Sequence, residues 1–156
     1  MATSPTVDAL EPAASLALVA AGIFFLAGLS TGVWKYRWMW RTPEAEAPYY
    51  VDTAHRASLL YSFACVLLYH FAVYSAWPAA VDLAAVAVLV FFFAGAVTSY
   101  VAHGLLGDTD NQFRDPFVLG PLDLPAWTLR LAMWALIAGE LLGFAVLFTG
   151  VVVRFI

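Results

Sequence analysis

The sequence predicts an all-α integral membrane protein, a four-helix bundle forming one transmembrane domain over residues 1–156. Three observations carry that prediction. The chain is 63% hydrophobic and only 12% charged, with a mean hydropathy of +0.84, far more apolar than a water-soluble domain. Four runs, Ala13 to Trp34, Ala54 to Trp77, Leu83 to Leu106 and Ala126 to Val153, each supply the roughly 20 residues needed to cross a hydrocarbon core about 30 Å thick. Inside the second run the polar residues recur at steps of three and four, the spacing of one helix face. The runs consume most of the chain, so no separate soluble domain is expected.

The first run follows a short acidic lead, MATSPTVDALEP, whose Pro12 suits the first turn of a helix, where a missing N–H costs nothing. No Lys or Arg precedes the run, as a secretory signal would require, so it is expected to be a retained helix. It ends in Trp34-Lys35-Tyr36-Arg37-Trp38-Met39-Trp40-Arg41, a belt of aromatics and cations suited to anchoring at a membrane–water interface. A Pro-rich, acidic loop follows, and Asp52 or Thr53 is the expected cap of the second helix.

That second helix carries His55, Ser58, Ser62, Cys65 and Tyr69 at alternating steps of three and four, which places all five on one face. In lipid such a stripe must point into the bundle, at a cavity or at a bound cofactor. Pro78 marks the next turn. The third helix closes on Thr98, Ser99, Tyr100 and His103 and is followed by GDTDNQFRDPFVLGPLDLP, a stretch with turn-forming density. GDTDNQ has neither the glycine nor the distal glutamate of a calcium loop and reads as a turn and cap segment. Asp123 as cap and Pro125 as first-turn proline are expected to start the fourth helix. Gly28 and Gly32 in the first helix, and Ala135, Gly139 and Gly143 in the fourth, let helices approach closely, within one chain or between chains.

Charge distribution sets the expected orientation. Lys35, Arg37, Arg41 and Arg56 flank the first loop, and Arg114 and Arg130 the third. The lead and the second loop have no Lys or Arg, and Arg154 alone opposes the bias. By the positive-inside rule both termini are expected outside the cytoplasm, in a bacterial-type inner (plasma) membrane. A net charge of −4 offers nothing to a nucleic acid. Cys65 is the sole cysteine, so no intrachain disulfide can form. There is no phosphate-cradling glycine loop and no Ser-His-Asp spacing, which removes the commoner nucleotide and hydrolase readings.

Reckoned at about 1.5 Å per residue, His55 and His103 lie at similar depth on antiparallel helices, with Tyr100 one turn deeper than His103. Three readings of the histidines stand: interfacial residues without a ligand, axial ligands of a haem, or part of a metal site. Zinc would want three or four converging ligands, and the spacing offers two. A haem needs one or two and an apolar pocket, which a bundle rich in Phe, Leu and Ala, with Phe91, Phe92 and Phe93 at hand, supplies. Glu140 falls near the depth of Tyr69 and His70, its expected hydrogen-bond or ion-pair partners.

The layout resembles styrene oxide isomerase over roughly half the chain, from the second helix to the start of the fourth. The likeness rests on Pro43-Glu44 followed by Ala54-His55 at the head of the second helix, on Val97-Thr98-Ser99-Tyr100, and on the turn Leu119-Gly120-Pro121-Leu122-Asp123. It implies haem b held by His55 as axial ligand of the iron, Tyr100 as the group that polarises substrate, a small apolar substrate and a homo-oligomer, a trimer by analogy. Tyr61 stands where that family has an active-site asparagine, and His103 where it has a serine. The expected function is therefore rearrangement of an apolar aryl epoxide to an aldehyde. A haem ligated by both His55 and His103, suited to electron transfer or sensing, is one alternative. A cofactor-free membrane scaffold or accessory subunit is the other.

Overall fold

The computed structural model describes residues 11–156; the acidic lead before Glu11 lies outside the described residues. Four helices make up about three quarters of it: α1 (Pro12–Met39), α2 (Tyr49–Tyr74), α3 (Ala79–Leu106) and α4 (Ala126–Phe155). At 26 to 30 residues each, they are about 39–45 Å long, enough to cross a bilayer and enter both interfaces.

Most helix ends move outward from the positions the hydropathy runs suggest. Pro12 does open α1, but the helix continues through the aromatic-cationic belt to Met39, because an amphipathic belt in the interface has no reason to break backbone pairing. Pro48 caps α2, not Asp52 or Thr53, and Pro78 caps α3. Pro125 likewise caps α4, while Asp123 sits in a two-residue strand. Each proline holds extended backbone and cannot donate to the preceding turn, so it stops helix growth more sharply than a side-chain cap would. The second helix ends at Tyr74, ahead of the Ser75-Ala76-Trp77-Pro78 turn. Between α3 and α4 a short hairpin pairs β1 (Val118–Leu119) with β2 (Leu122–Asp123). Its turn uses Gly120 at φ +57°, a conformation that favours glycine.

The inside and outside of the bundle are distributed as lipid requires. Ser58, Ser62, Thr31 and His103 are buried, while Leu26, Phe63, Phe91, Leu141 and Leu142 stand exposed. A soluble domain of this size would not present such an apolar surface. Four spans of this length and hydropathy, with polar groups turned inward, define a multi-pass membrane protein.

Helix α1 packs chiefly on α2, and α4 packs on α3 and α2. The polar stripe of α2 is largely consumed by the first of these contacts. Ser62 Oγ donates to Ala21 O at 2.9 Å and His55 Nδ1 lies 2.8 Å from Gly28 O, both on α1. Ser58 returns its proton to Ala54 O on its own helix. The small residues act within the chain: a Cβ on Gly28 would meet Leu59, one on Gly32 would meet the His55 ring, and on α4 one on Gly139 would meet Phe92 and one on Gly143 would meet Leu89. These glycines let the four rods close on one another.

Candidate functional site

The α2 flank that faces α3 carries a different set of groups. Tyr61 stacks on Phe93 of α3 with ring centroids 4.2 Å apart, and Tyr50 stacks on Tyr100 at 6.1 Å. Tyr61 and Tyr100 both line a cavity of about 570 Å³ between α2, α3 and α4, walled mainly by Phe91, Phe92, Phe113 and aliphatic residues of α4. Neither phenol hydroxyl has a hydrogen-bond partner among the described residues, so both are available to donate to a guest. The two tyrosines singled out in the sequence thus converge on one space.

A further polar group at the cavity comes from a residue that nothing in the sequence singles out, and it meets Ser99 there. Gln112, in the α3–α4 loop, accepts a hydrogen bond from Ser99 Oγ at its Oε1, 3.1 Å away. Its backbone N–H donates to Tyr50 Oη at 2.6 Å. The loop is thereby pinned over the cavity, and the Gln112 side-chain amide keeps its N–H donors. No periodicity links position 112 to the helices, so only the folded loop shows it.

The histidines divide between two places. His55 is half-buried at the α1–α2 contact, with its ring in the groove cleared by Gly28 and Gly32. His103 is buried under Tyr50, ring centroids 5.0 Å apart, and its Nδ1 lies 2.8 Å from Asp108 Oδ1. Tyr50 and His55 are five residues apart, about 140° around α2, so the structure gives the two imidazoles separate neighbours. In both rings the partner is an acceptor: a helix carbonyl for His55, a carboxylate for His103. Each Nδ1 therefore carries the proton, and in the neutral ring each Nε2 keeps its lone pair.

That tautomer suits an axial ligand. A metal-bound imidazole normally donates its second N–H to a carbonyl or carboxylate, which orients the ring and raises its basicity. At His55 the free donor is thus one imidazole nitrogen, Nε2, with Gly28 O as the acceptor that orients the ring. Among the described residues no three His, Cys, Asp or Glu side chains converge.

Asp108 is the hub of the loop. Besides His103 it takes the Gly120 N–H at 2.7 Å on Oδ2, joining the C-terminus of α3 to the hairpin. Burial pushes its carboxyl pKa up, but the hydrogen bonds from Gly120 and His103 outweigh that, and the net shift is downward. GDTDNQ is a turn and cap segment as expected: Gly107, at φ +59°, ends α3 and donates to His103 O.

Glu140 departs from expectation. Its Oε1 is buried and finds no hydrogen-bond partner among the described residues. It faces a second apolar cavity of about 250 Å³ walled by Ala64, Leu67, Leu68, Leu89 and Phe93. Tyr69 and His70 match its depth but not its direction: His70 is exposed and meets Tyr69 edge-on. Depth follows from rise alone, whereas contact also needs the angle around the helix.

Comparison with protein-family models, with curated proteins and with solved structures finds no match to this chain.

Proposed function

We propose that this membrane protein is a haem b-dependent isomerase that rearranges an apolar aryl epoxide to an aldehyde. The observation that carries the reading is the meeting of two unpartnered phenols, Tyr61 and Tyr100, in one apolar cavity among membrane-spanning helices. Such a cavity admits a greasy molecule already dissolved in the bilayer.

An epoxide and its aldehyde are isomers: one C–O bond breaks, a hydrogen moves with its electron pair to the adjacent carbon, and a C=O bond forms. No oxidant or reductant is consumed, which suits a chain of four helices. Bound through His55, haem b would supply a Lewis-acidic iron for such ring opening. The chain's own residues have defined tasks. Tyr100 donates a hydrogen bond to the oxygen as negative charge develops on it, and Tyr61 is the second donor. Phe91, Phe92 and Phe113 exclude water, which would otherwise trap the opened epoxide as a diol, and their ring faces favour the positive charge that builds on carbon.

His55 and Tyr61 are six residues apart, so they leave α2 about 120° apart. A homo-oligomer, a trimer by resemblance, is part of this reading. The cations that end α1, begin α2 and flank the α3–α4 loop gather at one end of the bundle, which supports an inner-membrane location with that end in the cytoplasm.

The test is direct. Protein purified in detergent after expression with ample haem should show a Soret band and convert an aryl epoxide to its aldehyde without added electron donor. A protein with no Soret band, or with haem but no aldehyde formation, overturns the proposal.

A further inference from the structure

The C-terminal end of α1 carries a feature that the isomerase reading leaves unused. Arg37 and Arg41, one helical turn apart, line a cavity of about 460 Å³ together with Val33, Trp34, Trp38 and Leu105. Among the other cations at this end of the bundle, Lys35 and Arg56 share the one Asp52 carboxylate and Arg114 pairs with Asp110. Arg37 and Arg41 have no carboxylate partner among the described residues, and no acidic residue lines their cavity. One wall is fixed, since the Trp34 ring sits so close to Gly104 of α3 that an added Cβ there would lie 2.8 Å from it.

We propose that this cavity is a binding site for an anionic phospholipid. The two guanidiniums supply forked donors matched to a phosphodiester. Trp34 and Trp38 place amphipathic rings at headgroup level, and Val33 and Leu105 continue the wall toward the hydrocarbon for the first part of an acyl chain. A zwitterionic lipid offers the same phosphate but adds a cation that two unpaired arginines disfavour. A basic pocket between helices at a membrane surface is a general form of lipid-headgroup recognition. The aromatic-cationic belt then does more than anchor the helix: it selects which lipid sits against α1 and α3.

Native mass spectrometry of the full chain, released from detergent containing graded phosphatidylglycerol or phosphatidylcholine, reads the site. Phosphatidylglycerol should bind in preference to phosphatidylcholine. Arg37→Gln or Arg41→Gln should each weaken that binding about 5-fold, and the pair about 30-fold. The Arg37→Lys/Arg41→Lys pair, which keeps the charge but loses the fork, should bind more weakly than the parent yet still prefer phosphatidylglycerol, which guards against a variant that fails to fold. Arg130→Gln, a cation elsewhere at the same end, should leave binding unchanged. Equal retention of the two lipids, an equal loss in Arg130→Gln, or displacement of the lipid by millimolar inorganic phosphate would each overturn the assignment.

Discussion

The Asp108 carboxylate holds two partners at once: His103 Nδ1 at 2.8 Å on one oxygen and the Gly120 N–H at 2.7 Å on the other. A single side chain thus joins the end of α3 to the hairpin, and through that loop to Gln112 and the cavity. The carboxyl pKa is lowered from 3.8. A group depressed in the fold contributes stability that is fully present above its unfolded value and is lost as pH falls through its folded value. Thermal unfolding in detergent should therefore show Asp108-dependent stability at neutral pH that fades below about pH 4. Asp108→Asn should lower stability at neutral pH by about 1.5–3 kcal/mol and should lack that acid-dependent loss. An identical acid profile in the two proteins would remove Asp108 from this role.

The cofactor assignment is tested at two positions. His55→Ala should abolish the Soret band while leaving helical circular dichroism intact. Gly32→Ala keeps the ligand but places a Cβ 2.9 Å from His55 Cε1, so the ring or the helix beneath it must shift. Overpacking of this kind costs about 1–3 kcal/mol, and haem retention should fall without vanishing. His103→Ala, whose ring is held on the Asp108 side, should keep haem; a low-spin spectrum disturbed equally by both histidine variants would instead support ligation by the pair.

Tyr100→Phe should retain haem and lose turnover of a trial epoxide by about 10²-fold, the scale of one lost donor to a developing oxyanion. Tyr61→Phe should show a smaller loss, and the two effects should be non-additive if both hydroxyls address one oxygen. Steady-state aldehyde formation checks this, and unchanged turnover in Tyr100→Phe removes the role given to that phenol.

Glu140 has an unpartnered buried oxygen in a lipid-depth apolar cavity, where an ionised carboxylate would be costly, so the neutral acid is the expected form. Glu140→Gln should keep the melting temperature and assembly of the parent, and Glu140→Leu should raise stability by about 1–3 kcal/mol by removing the unsatisfied group. A hydrophobic carbodiimide should label the parent at this position, because it reacts with protonated carboxyls in lipid. Unfolding of Glu140→Gln would show an ionised, paired carboxylate instead.

Four spans, their order and the inward turn of the polar groups were determined by the sequence alone, because apolar run length and a period of 3.6 are local properties that lipid enforces on any chain. The polar stripe from His55 to Tyr69 was equally legible as a stripe, yet its purpose was not: Ser62 and His55 turned out to bond α1, and the cavity opened on the other flank, at Tyr61. Which neighbour a residue meets depends on the angle at which two helices dock, and that is settled by contacts such as Gly32 under the His55 ring and Gly139 under Phe92. The same holds for Gln112, brought over the cavity by Tyr50 from 62 positions away, and for Glu140, left without the His70 that depth alone had offered it. Tertiary packing decided these pairings because it couples residues through space, where rise and period along one helix carry no information.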